Sequence, residues 1–247
     1  MRRYMGIVLI FIATFTIFTC SETTNNSDIK PGSVQLVAKS SDTAPYEKGI
    51  DAVPEGSDAI YIEWRTSEDP TVTGYRVYRK KDGDALFTSL VSLSETDTSW
   101  QDQNVNLNTR YYYYVTSVND DDVESVPSDT IDYLLIAKAT GLRPSGTVSE
   151  SQPGFQWTEP GSTPQGYIIK LQKQDEDSFI WIYSLDQDEI DYGGTDQPRS
   201  DNPIYFNQDG TASIDALEKG QTYQWRVDKQ GGVNSGSESH WSIITIQ

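Results

Sequence analysis

The 247 residues predict an all-β chain built as two consecutive antiparallel β-sandwiches behind an export signal. Three observations predict it. Apolar and aromatic residues alternate with polar ones over short runs, the pattern of half-buried strands. No long segment carries apolar residues at helical spacing. Four sequence anchors recur in the same order, which makes two copies of a unit of about 100 residues, the size of a sandwich domain.

The amino terminus reads as an address. Arg2 and Arg3 precede an uncharged stretch from Met5 to Phe18, too short for a comfortable transmembrane helix and suited to a signal h-region. Cys20, the one cysteine of the chain, stands where this stretch gives way to polar Ser21-Glu22-Thr23-Thr24. The arrangement resembles a bacterial lipoprotein signal, with Ile17 at the aliphatic position three before the cysteine. The resemblance implies a signal peptide over 1–19, lipidation of Cys20, a short tether over 20–29 and anchoring to a membrane through lipid. Ser21 in place of Asp implies, by the same resemblance, the cell outer membrane, with the periplasmic or surface face left open. An ordinary secretory peptide and an uncleaved anchor are the alternatives.

Strand runs follow. Ile60, Ile62 and Trp64 alternate with Tyr61 and Glu63; Tyr75 and Val77 with Arg76 and Tyr78; Tyr111, Tyr113 and Val115 with Tyr112, Tyr114 and Thr116. The repeat joins Trp64 and Gly74-Tyr75-Arg76-Val77 to Trp157 and Gly166-Tyr167-Ile168-Ile169. It joins Tyr111-x-Tyr113-x-Val115 to Tyr223-x-Trp225-x-Val227, and Glu124-Ser125-x-x-Ser128 to Glu238-Ser239-x-x-Ser242. Inward positions give a first core of Ile60, Ile62, Trp64, Tyr75, Val77, Tyr111, Tyr113 and Val115. The second is Phe155, Trp157, Ile169, Leu171, Tyr223, Trp225 and Val227. Leu134 to Pro144 reads as a short link, with the boundary near Ala137.

These residues resemble the fibronectin type III family, an immunoglobulin-like fold. In that pattern Trp64 and Trp157 end strand B, Tyr75 and Tyr167 lie on strand C, and Tyr111 and Tyr223 are the tyrosine-corner residues of strand F. Each of these tyrosines follows an apolar residue, Val105 or Leu217, by six positions. The resemblance implies domains over 30–136 and 137–247, the second with an acidic insertion at about 175–210.

Composition bounds the function. Lys and Arg total 19 against 37 Asp and Glu, a net charge of −18. This opposes nucleic-acid binding, which needs a basic surface to meet phosphates. The single histidine, His240, is the one candidate base for a catalytic triad and, at the start of the last strand, is expected to be a surface or edge residue; no cysteine or histidine cluster offers a soft metal site. The chain is therefore expected to be non-enzymatic, without catalytic residues or cofactor: a membrane-anchored binding or spacer module for an unknown protein or glycan. A hydrolase based on paired carboxylates is the least favoured reading.

Two ligand features stand out. Tyr78, Tyr112 and Tyr114 are expected to face outward as an aromatic platform, and with Trp181 and Tyr183 they suggest a carbohydrate-binding accessory protein as the second reading. From Asp175 to Asp201 there are nine acids and one base, Arg199. This segment is expected to be a long mobile loop, and Asp186, Asp188 and Asp191 leave an all-oxygen Ca2+ site open.

Overall fold

The computed structural model describes residues 29–161, 164–186 and 203–247. Cys20, the signal, nearly all of the tether, Asp188 and Asp191 lie outside the described residues. The described chain is all β, without a helix.

The first module pairs β1 (Asp51–Ala52), β2 (Ile60–Glu63) and β5 (Ser99–Asp102) in a three-stranded sheet. Over it lie β3 (Val72–Lys81), β4 (Thr88–Ser94), β6 (Arg110–Asn119) and β7 (Ile131–Leu135). The second module repeats the plan. Its small sheet is β8 (Thr140–Arg143), β10 (Gly154–Thr158) and β13 (Ile204–Tyr205). Its larger face holds β11 (Gly166–Lys173), β12 (Phe179–Asp186), β14 (Thr222–Gln230), β15 (Ser235–Glu238) and β16 (Ser242–Ile246), with β9 (Gly146–Val148) alongside. This is the strand order of tandem fibronectin type III sandwiches.

The cores follow from strand alternation. Ile60, Ile62, Trp64, Tyr75, Val77, Tyr111, Tyr113 and Val115 are all buried in one cluster; Phe155, Trp157, Tyr167, Ile169, Leu171, Tyr223, Trp225 and Val227 in the other. Both strand-F tyrosines close a corner. The Tyr111 hydroxyl accepts a bond from the Asn106 N–H at 3.0 Å, and the Tyr223 hydroxyl one from the Glu218 N–H at 2.9 Å. Each corner ties a loop to its strand while keeping a buried hydroxyl satisfied. The edge histidine, His240, is exposed.

The acidic segment departs from the loop reading at its start. Phe179–Asp186 is a full strand, paired with β11 from Gly166↔Asp186 to Gln172↔Phe179. Its aromatic and β-branched residues outweigh its acids, which gather at the Asp175–Asp177 turn and beyond Leu185. Trp181 is a correction to the carbohydrate reading. It faces inward opposite Leu171, is 1% exposed, and packs on Phe155 and Phe206. Asp209 accepts its indole N–H at 3.0 Å. A ring so enclosed is core, not a sugar platform.

The modules are not beads on a flexible string. β7 ends at Leu135 and β8 begins at Thr140, and of the four residues between, Ile136, Lys138 and Ala139 are buried. The larger sheets of both modules merge into one ten-stranded sheet through parallel pairing of β7 with β15.

Candidate functional site: the joint between the sandwiches

The joint starts with an interruption of the first strand. Leu36 bridges Trp64, with Val37 N–H donating to the Glu63 carbonyl and Arg65 N–H to the Gln35 carbonyl, each at 2.9 Å. The chain resumes against the same strand at Asp51↔Tyr61. Leu36 to Asp51 therefore lies opposite only Trp64 to Tyr61, and residues 38–49 are diverted into a loop. Its neck is closed by Ser40 N–H donating to the Lys48 carbonyl at 3.0 Å and Gly49 N–H to the Glu63 carboxylate at 2.8 Å. Gly49 has φ +82°, and a Cβ there would lie 2.6 Å from the Ala38 backbone. Only glycine lets the loop close on its own start. A short loop with joined ends is a compact Ω-type element, and such loops carry function disproportionately.

This loop reaches the second module. Glu47 Oε1 accepts bonds from both Lys170 Nζ and Arg226 Nη2. Those side chains are 1% and 3% exposed. Asp228 holds Lys170 at 2.8 Å and the Arg226 Nε at 2.8 Å, and Glu238 accepts from Arg226 at 3.0 Å. Around them Lys39 pairs with Asp42 at 2.7 Å and with Asp51, whose carboxylate accepts the Tyr133 hydroxyl at 2.9 Å.

The repeat explains where these ions stand. Aligning Tyr75 with Tyr167, Tyr111 with Tyr223 and Glu124 with Glu238 puts Lys170, Arg226, Asp228 and Glu238 at the positions of Tyr78, Tyr114, Thr116 and Glu124. In the first module that quartet is a neutral ladder around one acid. Tyr78 and Tyr114 stack with centroids 4.7 Å apart, and Glu124 accepts from the Tyr78 hydroxyl at 2.7 Å and from Thr116 at 2.7 Å. In the second module the same four positions are an ionic cluster, covered by the loop of the first.

The exchange is reciprocal. In the second module, β9 runs parallel beside β16, Thr147 opposite Thr245. Among the described residues no first-module chain takes the corresponding place beside β7; the stretch after Leu36 is diverted into the Glu47 loop. β15 of the second module fills it with the same polarity, Ser235 opposite Leu134. Leu134 N–H donates to the Asn234 carbonyl at 3.0 Å and Ile136 N–H to the Gly236 carbonyl at 3.1 Å. Each module thus supplies a piece the other lacks.

The linker is held by buried lysines. Lys229, fully buried, pairs with Glu159 and donates to the Ala137 carbonyl at 2.7 Å. Lys138 caps the Val53 and Pro54 carbonyls. Arg110 pairs with Asp132 and donates to the Val233 carbonyl at 3.1 Å.

The carboxylates titrate in opposite directions. Burial disfavours the Glu47 anion most strongly, yet Arg226 and Lys170 outweigh it and hold the group at about 2. Burial, reinforced by Asp228, pushes Glu238 well above the usual range despite Arg226. Glu47, Asp228 and Glu238 offer oxygens within 4.8 Å of one another. Two buried cations already face them, and a proton on Glu238 brings the cluster to neutrality.

The signs follow by linkage. Glu47, depressed in the fold, contributes stability that is present above its unfolded value of about 4.5 and is lost as pH falls toward about 2. Glu238, raised in the fold, contributes stability at low pH that is lost as pH rises through its folded value. Wild type is therefore expected to lose joint stability below about pH 4, and Glu47→Gln to flatten that acid limb. Thermal unfolding of both proteins across pH checks this; parallel acid limbs would contradict the assignment.

The residues expected as a ligand platform take a different form. Tyr78, Tyr112 and Tyr114 are half-buried. Tyr114 has Tyr78 on one side and Phe87, tilted by 56°, at 4.7 Å; Lys80 stands 5.4 Å from the Tyr112 ring. The stacked faces are turned toward one another. Asp186 ends β12. Glu47, Lys170, Arg226, Asp228 and Glu238 escaped the sequence reading. For Lys170, Arg226 and Asp228 a signal lay in the repeat: superposing its two copies shows two tyrosines and a threonine turned into ions on one sheet face, beside Glu238, which keeps the acid of Glu124.

No family model matches the sequence, and no curated protein matches it. Solved structures do. A two-domain fibronectin type III segment of chicken tenascin is 14% identical with a TM-score of 0.32, over 79% of this chain and 95% of that one. The fibronectin type III domain of human contactin 1 is 24% identical with a TM-score of 0.31, over 44% of this chain and 92% of that one. A β-1,2-glucanase from Parabacteroides distasonis is 21% identical with a TM-score of 0.31, over 44% of this chain and only 14% of the glucanase. The strand order, the paired tryptophans and the tyrosine corners make both modules fibronectin type III-like.

Proposed function

We propose that this chain is a non-enzymatic, stiff two-module arm, tethered to the outer membrane through lipidated Cys20, that spaces or presents a binding surface away from the envelope. The observation that carries the reading is the reciprocal joint. The Glu47 loop covers the ions of the second module, and β15, still paired with β14, adds its other edge to β7, so bending at the linker would break sheet hydrogen bonds and uncover buried charges together. Interdomain contacts usually permit relative motion unless the interface is extensive; this one continues a sheet. The lipid anchor rests on the lone cysteine behind an apolar h-region, since acyl chains at about 0.8 kcal/mol per buried CH2 hold a protein to a bilayer.

Both halves of the reading are testable. Cys20→Ser is expected to release the protein from the membrane fraction, or to leave its signal uncleaved; a processed variant that still partitions into detergent like wild type contradicts the anchor. Calorimetry of the mature chain is expected to give one cooperative transition for both modules. Two separated transitions would show modules that fold independently of the joint.

A further inference from the structure

The fork formed by Lys170 and Arg226 is built by the second module alone. Asp228 fixes both cations and Glu238 fixes the arginine, so the two donors keep their direction without Glu47. Phe179 and Trp241 wall it: their rings lie 6.4 Å apart at 24°, with the Arg226 guanidinium 4.8 Å from Trp241 and the Lys170 ammonium 5.6 Å from Phe179. The cleft beside it has room for about one water and is lined mostly by acids, Asp42, Glu47, Asp51, Asp228 and Glu238 against Lys170 and Lys229, so a free carboxylate needs the space that the Glu47 side chain vacates. What fills the fork is a single carboxylate oxygen, brought by a loop from the other module. Charge-assisted donors converging on one oxygen from a nearly dry site are the arrangement by which proteins recognise carboxylates.

We propose that the Lys170–Arg226 fork is a carboxylate-binding site of the second module, occupied in cis by Glu47, and that a free monocarboxylate enters it once the Glu47 side chain is removed. This rests on the joint described above and adds a ligand class to it. Lys170 supplies a point charge and Arg226 a planar donor set, so the site distinguishes a carboxylate from a halide of the same charge.

The test uses acetate as the probe. Glu47→Ala, Glu47→Gln and wild type are heated in rising sodium acetate, each against sodium chloride at matched ionic strength. Acetate is expected to raise the Tm of Glu47→Ala saturably, by about 2–4 °C beyond chloride. It should add nothing beyond chloride to wild type or to Glu47→Gln, whose side chains still fill the fork. Equal shifts in all three proteins, or no excess over chloride in Glu47→Ala, overturn the proposal. Should Glu47→Ala fail to fold, its refolding yield in acetate against chloride replaces the Tm: higher recovery in acetate supports the site, and equal recovery rejects it. A negative result leaves the single unfolding transition of wild type unaffected, so the failure of this site and the failure of the stiff-arm reading are separable.

Discussion

Arg226→Met is expected to be the most damaging single change in the joint, at about 3–5 kcal/mol. The methionine fills most of the space, so the loss is electrostatic. Arg226 faces Glu47, Asp228 and Glu238, and its removal leaves three carboxylates around Lys170 alone. An unpaired buried charge costs far more than the pair had contributed. The deficit has a pH signature. Protonation relieves the surplus anions, so the gap between variant and wild type should shrink from pH 8 to pH 5. Denaturant unfolding at both values checks it. A gap that is constant with pH would show that the loss is one of packing.

Trp64→Ala is expected to cost about 3–5 kcal/mol in the first module. The side chain is 1% exposed, and it lies against Tyr75 with ring centroids 5.6 Å apart. Among the described residues its indole N–H finds no acceptor, and neither does that of Trp157, its counterpart in the repeat. Hydrogen bonding therefore contributes nothing to the loss, which is burial and cavity formation alone. Tyr112→Ala, at a half-buried outward position, should cost much less. Urea unfolding of both variants decides the matter: equal losses would overturn the inward and outward assignment of the strands.

These two variants separate what was legible from what was not. Trp64, Tyr75, Tyr111 and their counterparts announce themselves, because alternation along a strand and the six-residue tyrosine-corner spacing are local. The sandwich, its repeat and its cores follow from such short-range patterns. The joint does not. Glu47 lies in a loop whose sequence, Ser-Asp-Thr-Ala-Pro-Tyr-Glu-Lys-Gly, reads as an ordinary polar turn, and its partners are more than a hundred residues away. Glu238, at the end of β15, reads only as a repeat anchor, and nothing local says that the free edge of this strand completes the other module. Lys170 is the intermediate case. A lysine between Ile169 and Leu171 reads as an outward, solvated residue, and it does face outward from the sheet, onto the covering loop. The acidic segment reads as a loop for the opposite reason: acids crowd both ends of the apolar strand Phe179–Asp186 and mask its alternation.

The claim that both modules move as one body is tested most directly by a distance across the whole sheet. Ser89 on β4 and Ser184 on β12 are exposed and stand on its outermost strands. Cysteines at these positions in the mature chain, with Cys20→Ser, carry spin labels for pulsed dipolar spectroscopy. The joint predicts one narrow distance distribution in wild type that broadens when Glu47→Ala and Arg226→Met are combined. A distribution already broad in the wild-type joint, and unchanged by that pair of substitutions, would contradict it.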